Sequence, residues 1–472
     1  MAGARATADD TGGSTGHEPS LMRDTDYGWW FGADTAGQLS ASISSFALPL
    51  IALAVTHSAA QAALLESIMS CMNAVFVIPG GLVQDRFDRR KLLLIWSMAG
   101  VLLFAVAGFM QFSGGLDWVA LVVLSVILGI RSGLLGNTSS SMLRGVVPDE
   151  ELPQAMAITH GRDAVINIAG SPISGVLMGF GYAVPLFVSS VLSAFGGGLG
   201  LKIHRYWRHG KADTATDDPC NGSADATQTL ATPTAPMPVS AQVPPAVASS
   251  MVRSLKQAIG EAFEGLRWLC RAPFQRRLAF ASALCNGGIN GLLLITQMHV
   301  QSATHSSLTA AMVLTIGSVG MLIGAVASPK LVARIPGGPL TASFFVLFPL
   351  GSLGLALSQH LVWLQGAFLF ISMLLLPAGN AVMGGFMAML VSKEKQGRFG
   401  AAMTLCSLAS YAVLSWLAGL IMERFGYTAS ALVLAVILAL GAALVLSMPQ
   451  IMKLPLPQRW EDHIEHYRLD RF

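Results

Sequence analysis

Gly81-Leu82-Val83-Gln84-Asp85-Arg86-Phe87-Asp88-Arg89-Arg90, followed by Lys91, is a short charged stretch between two apolar runs, residues 60–83 and 92–112. Each run has the roughly 20 residues a helix needs to cross bilayer hydrocarbon. The stretch between them has room only for a tight turn. Two consecutive spanning helices are therefore expected, with their cations held at the headgroup level on one side.

The same reading extends along the chain. Further apolar runs fall at residues 28–55, 117–141, 154–179 and 181–203, and, after a gap, at 278–298, 308–328, 339–358, 362–391, 400–421 and 428–448. The pattern predicts an all-α membrane protein of twelve spans, arranged as two six-helix bundles. Composition agrees: apolar residues make up 53% of the 472 and charged residues only 12%, with a mean hydropathy of +0.59. A soluble domain averages about 25% charged residues, too many more for this chain to be one. The net charge of +3 is too small for a nucleic-acid binder. The five cysteines, at 71, 220, 270, 285 and 406, lack paired spacing and read as incidental.

Five segments are expected: an amino-terminal tail over 1–27, a first bundle over 28–203, a linker over 204–277, a second bundle over 278–448 and a carboxyl-terminal tail over 449–472. The tail has no basic region leading into a cleavable apolar core, so no signal peptide is expected. Residues 209–252 hold six prolines and no aromatic residue, the composition of a tether. Leu255, Ile259, Phe263 and Leu266 then recur at helical spacing, predicting an amphipathic helix near 253–270. Cations concentrate in the even-numbered connections, including Arg144, Lys330, Arg334, Lys393, Lys395 and Arg398. The positive-inside rule then places both termini in the cytoplasm. GGLVQDRFDRRK after span two and IGAVASPKLVARIP after span eight occupy equivalent places, the weak internal echo of a transporter built from repeats.

Gly81 through Arg90 resembles the loop signature G-x-x-x-D-R-x-G-R-R of the major facilitator superfamily, with Asp88 where that pattern has Gly. WFGADTAGQLSASISSFALPLIAL in span one, VVPDEELPQAMAI before span five, GRDAVINIAGSPISG within it and EGLRWLCRAPFQRRLA before span seven narrow the resemblance. Together they look like the bacterial drug-exporter branch that includes the macrolide-efflux proteins and the enterobactin exporter. The resemblance implies a gating loop at Gly81, Asp85, Arg86, Arg89 and Arg90. Gly81 would permit close helix approach, and Asp85 would latch onto the start of span eleven. It also implies a helix-bending element at Gly170, Pro172 and Gly175, similar to the G-P-x-x-G of proton-coupled antiporters with Ser171 inserted.

Ionisable groups within hydrocarbon cost several kcal/mol and are functional candidates by default. Here they are Asp34, Glu66, Arg131, Arg162 and Asp163, all in the first half, together with His160. Glu66 is the preferred proton carrier. Arg131 matches an arginine of the superfamily's span four, and would help a nearby carboxylate release its proton. Asp34, beside Trp29 and Trp30, is expected to make a structural contact at its helix end. Arg162 and Asp163, about 100° apart on a helix, are not expected to pair. Asn286, Asn290 and Asn380 are the polar substrate candidates. His463 and His466 are expected in a solvated tail.

No phosphate-binding loop, nucleophile elbow or zinc-protease motif occurs, so neither ATP use nor an enzyme is expected. The implied function is export of amphipathic small molecules, such as drugs and antibiotics, across the bacterial cytoplasmic membrane by proton antiport. No cofactor is expected beyond the proton gradient. The partners are the substrate, protons and the lipid bilayer, with no nucleic acid, and the chain is expected to act as a monomer. Two alternatives stand beside this: a dedicated exporter of one metabolite, such as a siderophore or bile-type acid, and a non-transporting membrane sensor or scaffold.

Overall fold

The computed structural model describes residues 25–147, 151–204, 260, 267, 273–391 and 393–467. Most of the linker and the core of its expected amphipathic helix lie outside the described residues. In the first bundle the spans are Thr25–Thr56, Ala59–Arg86, Arg89–Phe112, Trp118–Leu135 extended by Thr138–Val146, Leu152–Gly179 and Val184–Gly200. In the second they are Pro273–Thr304, Ser307–Arg334, Gly337–Leu357, Val362–Leu374 extended by Leu376–Leu390, and the continuous Lys393–Leu446. That last segment is two spans. It leaves helical geometry at Gly426 (φ 84°, ψ 170°), and the Ser430 hydroxyl returns to the Ala418 carbonyl at 2.7 Å. The twelve-helix, six-plus-six fold is thereby realised.

Lipid and packing divide each helix surface. In span three, Ile95, Met98, Leu102, Val106 and Phe109 recur every three or four residues and are exposed, a stripe suited to acyl chains. The opposite face packs through small residues, since helices surrounded by lipid gain little from apolar burial and must approach closely. A Cβ on Gly80, Gly129 or Gly133 would collide with backbone of the facing helix between spans two and four. Spans eight and ten repeat this at Gly320 and Gly324.

The repeat is also visible in the turns. Thr56-His57-Ser58 opens span two and Thr304-His305-Ser306 opens span eight. In each, the histidine takes positive φ (52° and 51°), and the threonine hydroxyl bonds the carbonyl four residues back at 2.7 Å. Ser58 and Ser306 then cap the following helices.

One expectation is corrected. The segment after span twelve is not a solvated tail up to residue 467. Trp460 is buried against Phe386, and its indole donates to the Pro455 carbonyl at 3.0 Å. His463 is buried with Nε2 2.8 Å from the Gln450 carbonyl oxygen. The amides of Gly337 and Gly338 bond Pro455 and Leu454, so the segment closes over the base of the second bundle.

Candidate functional site

The two bundles meet through spans two and eleven and through spans five and eight. Several cross-bundle contacts lie in the half remote from the charged Asp85–Arg90 turn. The Ser58 hydroxyl donates to the Glu423 carboxylate, which also accepts from the Ala60 amide at 2.8 Å. A Cβ on Gly419 would collide with Ala63. One on Gly175 would stand 2.7 Å from the Ala311 Cβ and 2.9 Å from the Ser307 oxygen. The Gln297 amide of span seven donates to the Phe46 carbonyl of span one at 2.7 Å. Toward the charged turn the surroundings of several glycines are looser. A Cβ on Gly81, Gly161, Gly384 or Gly400 meets nothing within 4 Å. The bundles are therefore sealed together at the end remote from the basic turn.

Glu66 sits at the sealed end. Two turns into span two, it accepts a 2.7 Å hydrogen bond from the Tyr411 hydroxyl of span eleven, so the carboxyl joins the two bundles directly. A cavity of about 20 Å³ adjoins it, lined by Leu48, Pro49, Leu65 and Ser125 among others. That is room for one water. Tyr411 carries no charge pattern or motif, and its role was not readable from sequence. The Ser70 hydroxyl, one turn from Glu66, reaches the Leu408 carbonyl at 3.3 Å.

The other charged candidates collect in the basic half of the first bundle, with different pairings from those expected. Arg162 bridges spans five and one: Nη2 is 2.5 Å from Asp34 and 2.7 Å from Asp163. Adjacent helix positions do diverge, but the long arginine side chain curls back across its own helix, so Arg162 and Asp163 pair after all. Asp34 accordingly bonds span five rather than a helix end. Side-chain exposures of 7% for Arg162 and 9% for Asp34 make this a buried pair. A cavity of about 40 Å³ beside Asp34 is lined by Gln38, Trp96, Thr138 and Ser139 among others. Arg131 faces spans three and six, with its guanidinium 3.5 Å over the Trp96 ring and Nε donating to the Trp96 carbonyl at 3.1 Å. The carboxylate partner expected for it is not found among the described residues.

The gating loop differs from expectation in one detail. Gly80, not Gly81, makes the close approach, against Gly133 and Leu134 of span four. Asp85 is 68% exposed and lies 4.0 Å from Arg89. The expected latch to the start of span eleven falls on residues 392–398, whose side chains lie outside the described residues. Asp88 replaces the usual glycine by a different device, accepting from the Arg90 amide at 2.9 Å as the cap of span three. Arg89 donates to the Ser141 carbonyl at 2.6 Å and Arg90 to the Leu201 carbonyl at 2.6 Å. The loop thus ties together the basic ends of spans three, four and six.

In the bending element, a Cβ on Gly170 would overlap the Ser42 hydroxyl. Ser174 donates to the Ile43 carbonyl at 2.9 Å. Gly170 and Ser174 therefore bind span five to span one, while Gly175 meets the other bundle. Asn286, Asn290 and Asn380 lie midway along their spans: Asn286 and Asn380 are exposed and Asn290 half-buried. The Asn290 amide donates to the Asn286 carbonyl at 2.8 Å.

Two six-helix bundles with matching turns, packed together at one end, have the repeated-half architecture of many transporters. The chain belongs to the major facilitator superfamily, whose family model matches residues 35–377. A hexuronate transporter of Bacillus subtilis (strain 168) is 28% identical over 149 residues, 32% of each chain. The chain therefore spans about a third of that relative's length in the match. Among solved structures, the nucleoside transporter NupG superposes with a TM-score of 0.65 at 11% identity, over 89% of this chain and 100% of that one. A bacterial homologue of the human lysosomal transporter Spinster, in an inward-facing and unoccupied conformation, gives 0.62 at 14% identity, over 95% and 99%. A bacterial homologue of the iron transporter ferroportin, in an inward-facing state, gives 0.59 at 12% identity, over 90% and 100%.

Proposed function

We propose that the chain exports amphipathic small molecules from the cytoplasm in exchange for protons, with Glu66 as the proton carrier. The observation that supports this is the Glu66–Tyr411 hydrogen bond where the bundles are sealed together. A carboxyl that helps hold two bundles together couples its protonation to their separation. Protonated, it no longer offers Tyr411 a charged acceptor, and the charge-assisted part of the bond is lost. With the basic end in the cytoplasm, the conformation described is the one that loads substrate from inside. Proton entry supplies about 2.3 kcal/mol per 100 mV of membrane potential and about 1.4 kcal/mol per pH unit. A hexuronate relative matched over a third of its length does not transfer its substrate to this chain.

The test is flux of erythromycin and of ethidium in inside-out vesicles with an imposed proton gradient. Flux should require the gradient and fall at least about tenfold in Glu66→Gln. Flux that ignores the gradient removes the coupling, and no flux of any amphipathic probe removes export.

A further inference from the structure

Span eleven turns one face to span two along the sealed half. Leu408, Tyr411, Gly419 and Glu423 lie on it, and each touches span two or the turn before it. Ser415 stands four residues from both Tyr411 and Gly419, on the same face. Ser410 and Leu414 approach span seven instead, which leaves the Ser415 side chain in the seam. The two helices run antiparallel. Ser415 therefore lies at the height between Ala63, which meets Gly419, and Glu66, which meets Tyr411.

Ser415 is fully buried, and its hydroxyl has no hydrogen-bond partner among the described residues. A serine within a helix can satisfy itself on the carbonyl four residues back, as Ser67 does on Ala63 at 2.8 Å. An unbonded hydroxyl in such a place carries the cost of its desolvation, and an alanine would pack there without it. Close approach of the helices alone does not account for the residue; a hydroxyl that gains water when the helices part does.

Glu66 needs a route for such water. The small cavity beside it is walled by apolar groups such as Leu48, Pro49, Leu121 and Leu124, with Ser125 the one other polar side chain and no second charge. Along the seam, away from the basic turn, the next polar side chain is Ser415. Beyond it Glu423 closes the mouth on Ser58 and Ala60, with His57 and Arg424 exposed nearby. Tyr411, Ser415, Gly419 and Glu423 follow one another at about 6 Å along the helix axis, steps that a short file of water spans.

We infer that protons reach Glu66 from the side remote from the basic turn along the seam of spans two and eleven, through water positioned by the Ser415 hydroxyl once the Glu423 contact has parted. A proton passes from bulk water to the Ser415 oxygen, and the proton that oxygen already held passes on through water to the Glu66 carboxylate. Tyr411 keeps its own. This rests on the reading of Glu66 as the proton carrier, and it supplies the route. Ser415 is a positioning residue on that route, and Glu423 is its latch.

The test follows Glu66 itself, with no substrate present. The full chain in oriented proteoliposomes receives an acid step on the side remote from the basic turn, and protonation is timed by the carboxyl infrared band that Glu66→Gln abolishes. Ser415→Ala should slow protonation at least about tenfold, with the midpoint of the equilibrium titration unchanged. Its thermal midpoint should hold or rise, because an unpaired buried polar group is removed; a merely structural serine would lower it. Glu423→Gln, which keeps the shape of the latch without its charge, should speed protonation several-fold. An unchanged rate in Ser415→Ala, or a slower one in Glu423→Gln, overturns the route and leaves Glu66 as the carrier. A band that survives Glu66→Gln removes the carrier and the route with it. Because no flux is read, failure of export alone leaves both standing.

Discussion

Spans two and eleven lie side by side, and their two ends do opposite things. At one end Gly419 touches Ala63, Tyr411 bonds Glu66 and Glu423 bonds Ser58. At the other, Gly81 has nothing within 4 Å and Asp85 stands in solvent. On the proposed function each end carries its own closing device, a small-residue seam with a titratable bond at one and a charged turn at the other. In the cycle proposed above, a rocking motion would exchange which device is engaged.

The sharpest way to break this asymmetry is to fill the seam. Gly419→Leu places a branched side chain where even a Cβ has no space, and the sealed end should be forced apart. The expected result is loss of transport, together with labelling by an impermeant maleimide of a cysteine introduced at Ala62, a position buried in the parent. A variant that transports normally would mean the seam is not part of the cycle.

Glu66→Gln is expected to be less disruptive. The amide keeps a hydrogen bond to Tyr411, so the folded chain and its ligand binding should persist while gradient-driven flux falls about tenfold or more. Tyr411→Phe should fall between the two. Asp34→Asn tests the buried charges of the first bundle instead. It leaves Arg162 with Asp163 alone and should lower stability by about 3 kcal/mol, read as a fall in the thermal midpoint. Asp85→Asn should leave that midpoint unchanged, since an exposed pair at 4.0 Å contributes little. It should slow transport several-fold, because the turn is needed when the basic end closes.

The spans and their grouping were legible in sequence because apolar length and cation placement are properties of single segments. The pairings were not. Glu66 stood out as an uncovered carboxyl, but nothing near it in sequence names Tyr411, 345 residues on. Arg162 and Asp163 were misjudged because a rule about backbone direction ignored the reach of a guanidinium. His463 was assigned to solvent because a helix of seven residues gives too little pattern to reveal a buried face. The paired Thr-His-Ser turns were in plain view, yet three residues repeated once carry no statistical weight until the geometry around them matches.

The smallest effect isolates what a single departure from the family pattern does. Asp88 stands where the loop signature has glycine, and no residue in this turn takes positive φ, so freedom of backbone is not what the position requires. Its carboxylate instead satisfies the Arg90 amide at the start of span three. Asp88→Ala removes that acceptor and should cost about 1 kcal/mol, whereas Asp88→Gly should cost only a few tenths, the usual ordering for a helix cap. Both variants keep Asp85 and the arginines, so transport should follow wild type once folded protein is matched. If Asp88→Gly instead proves the less stable of the two, the carboxylate is not acting as a cap. If either variant alters flux at equal stability, Asp88 belongs to the closing device of the basic end rather than to the helix it begins.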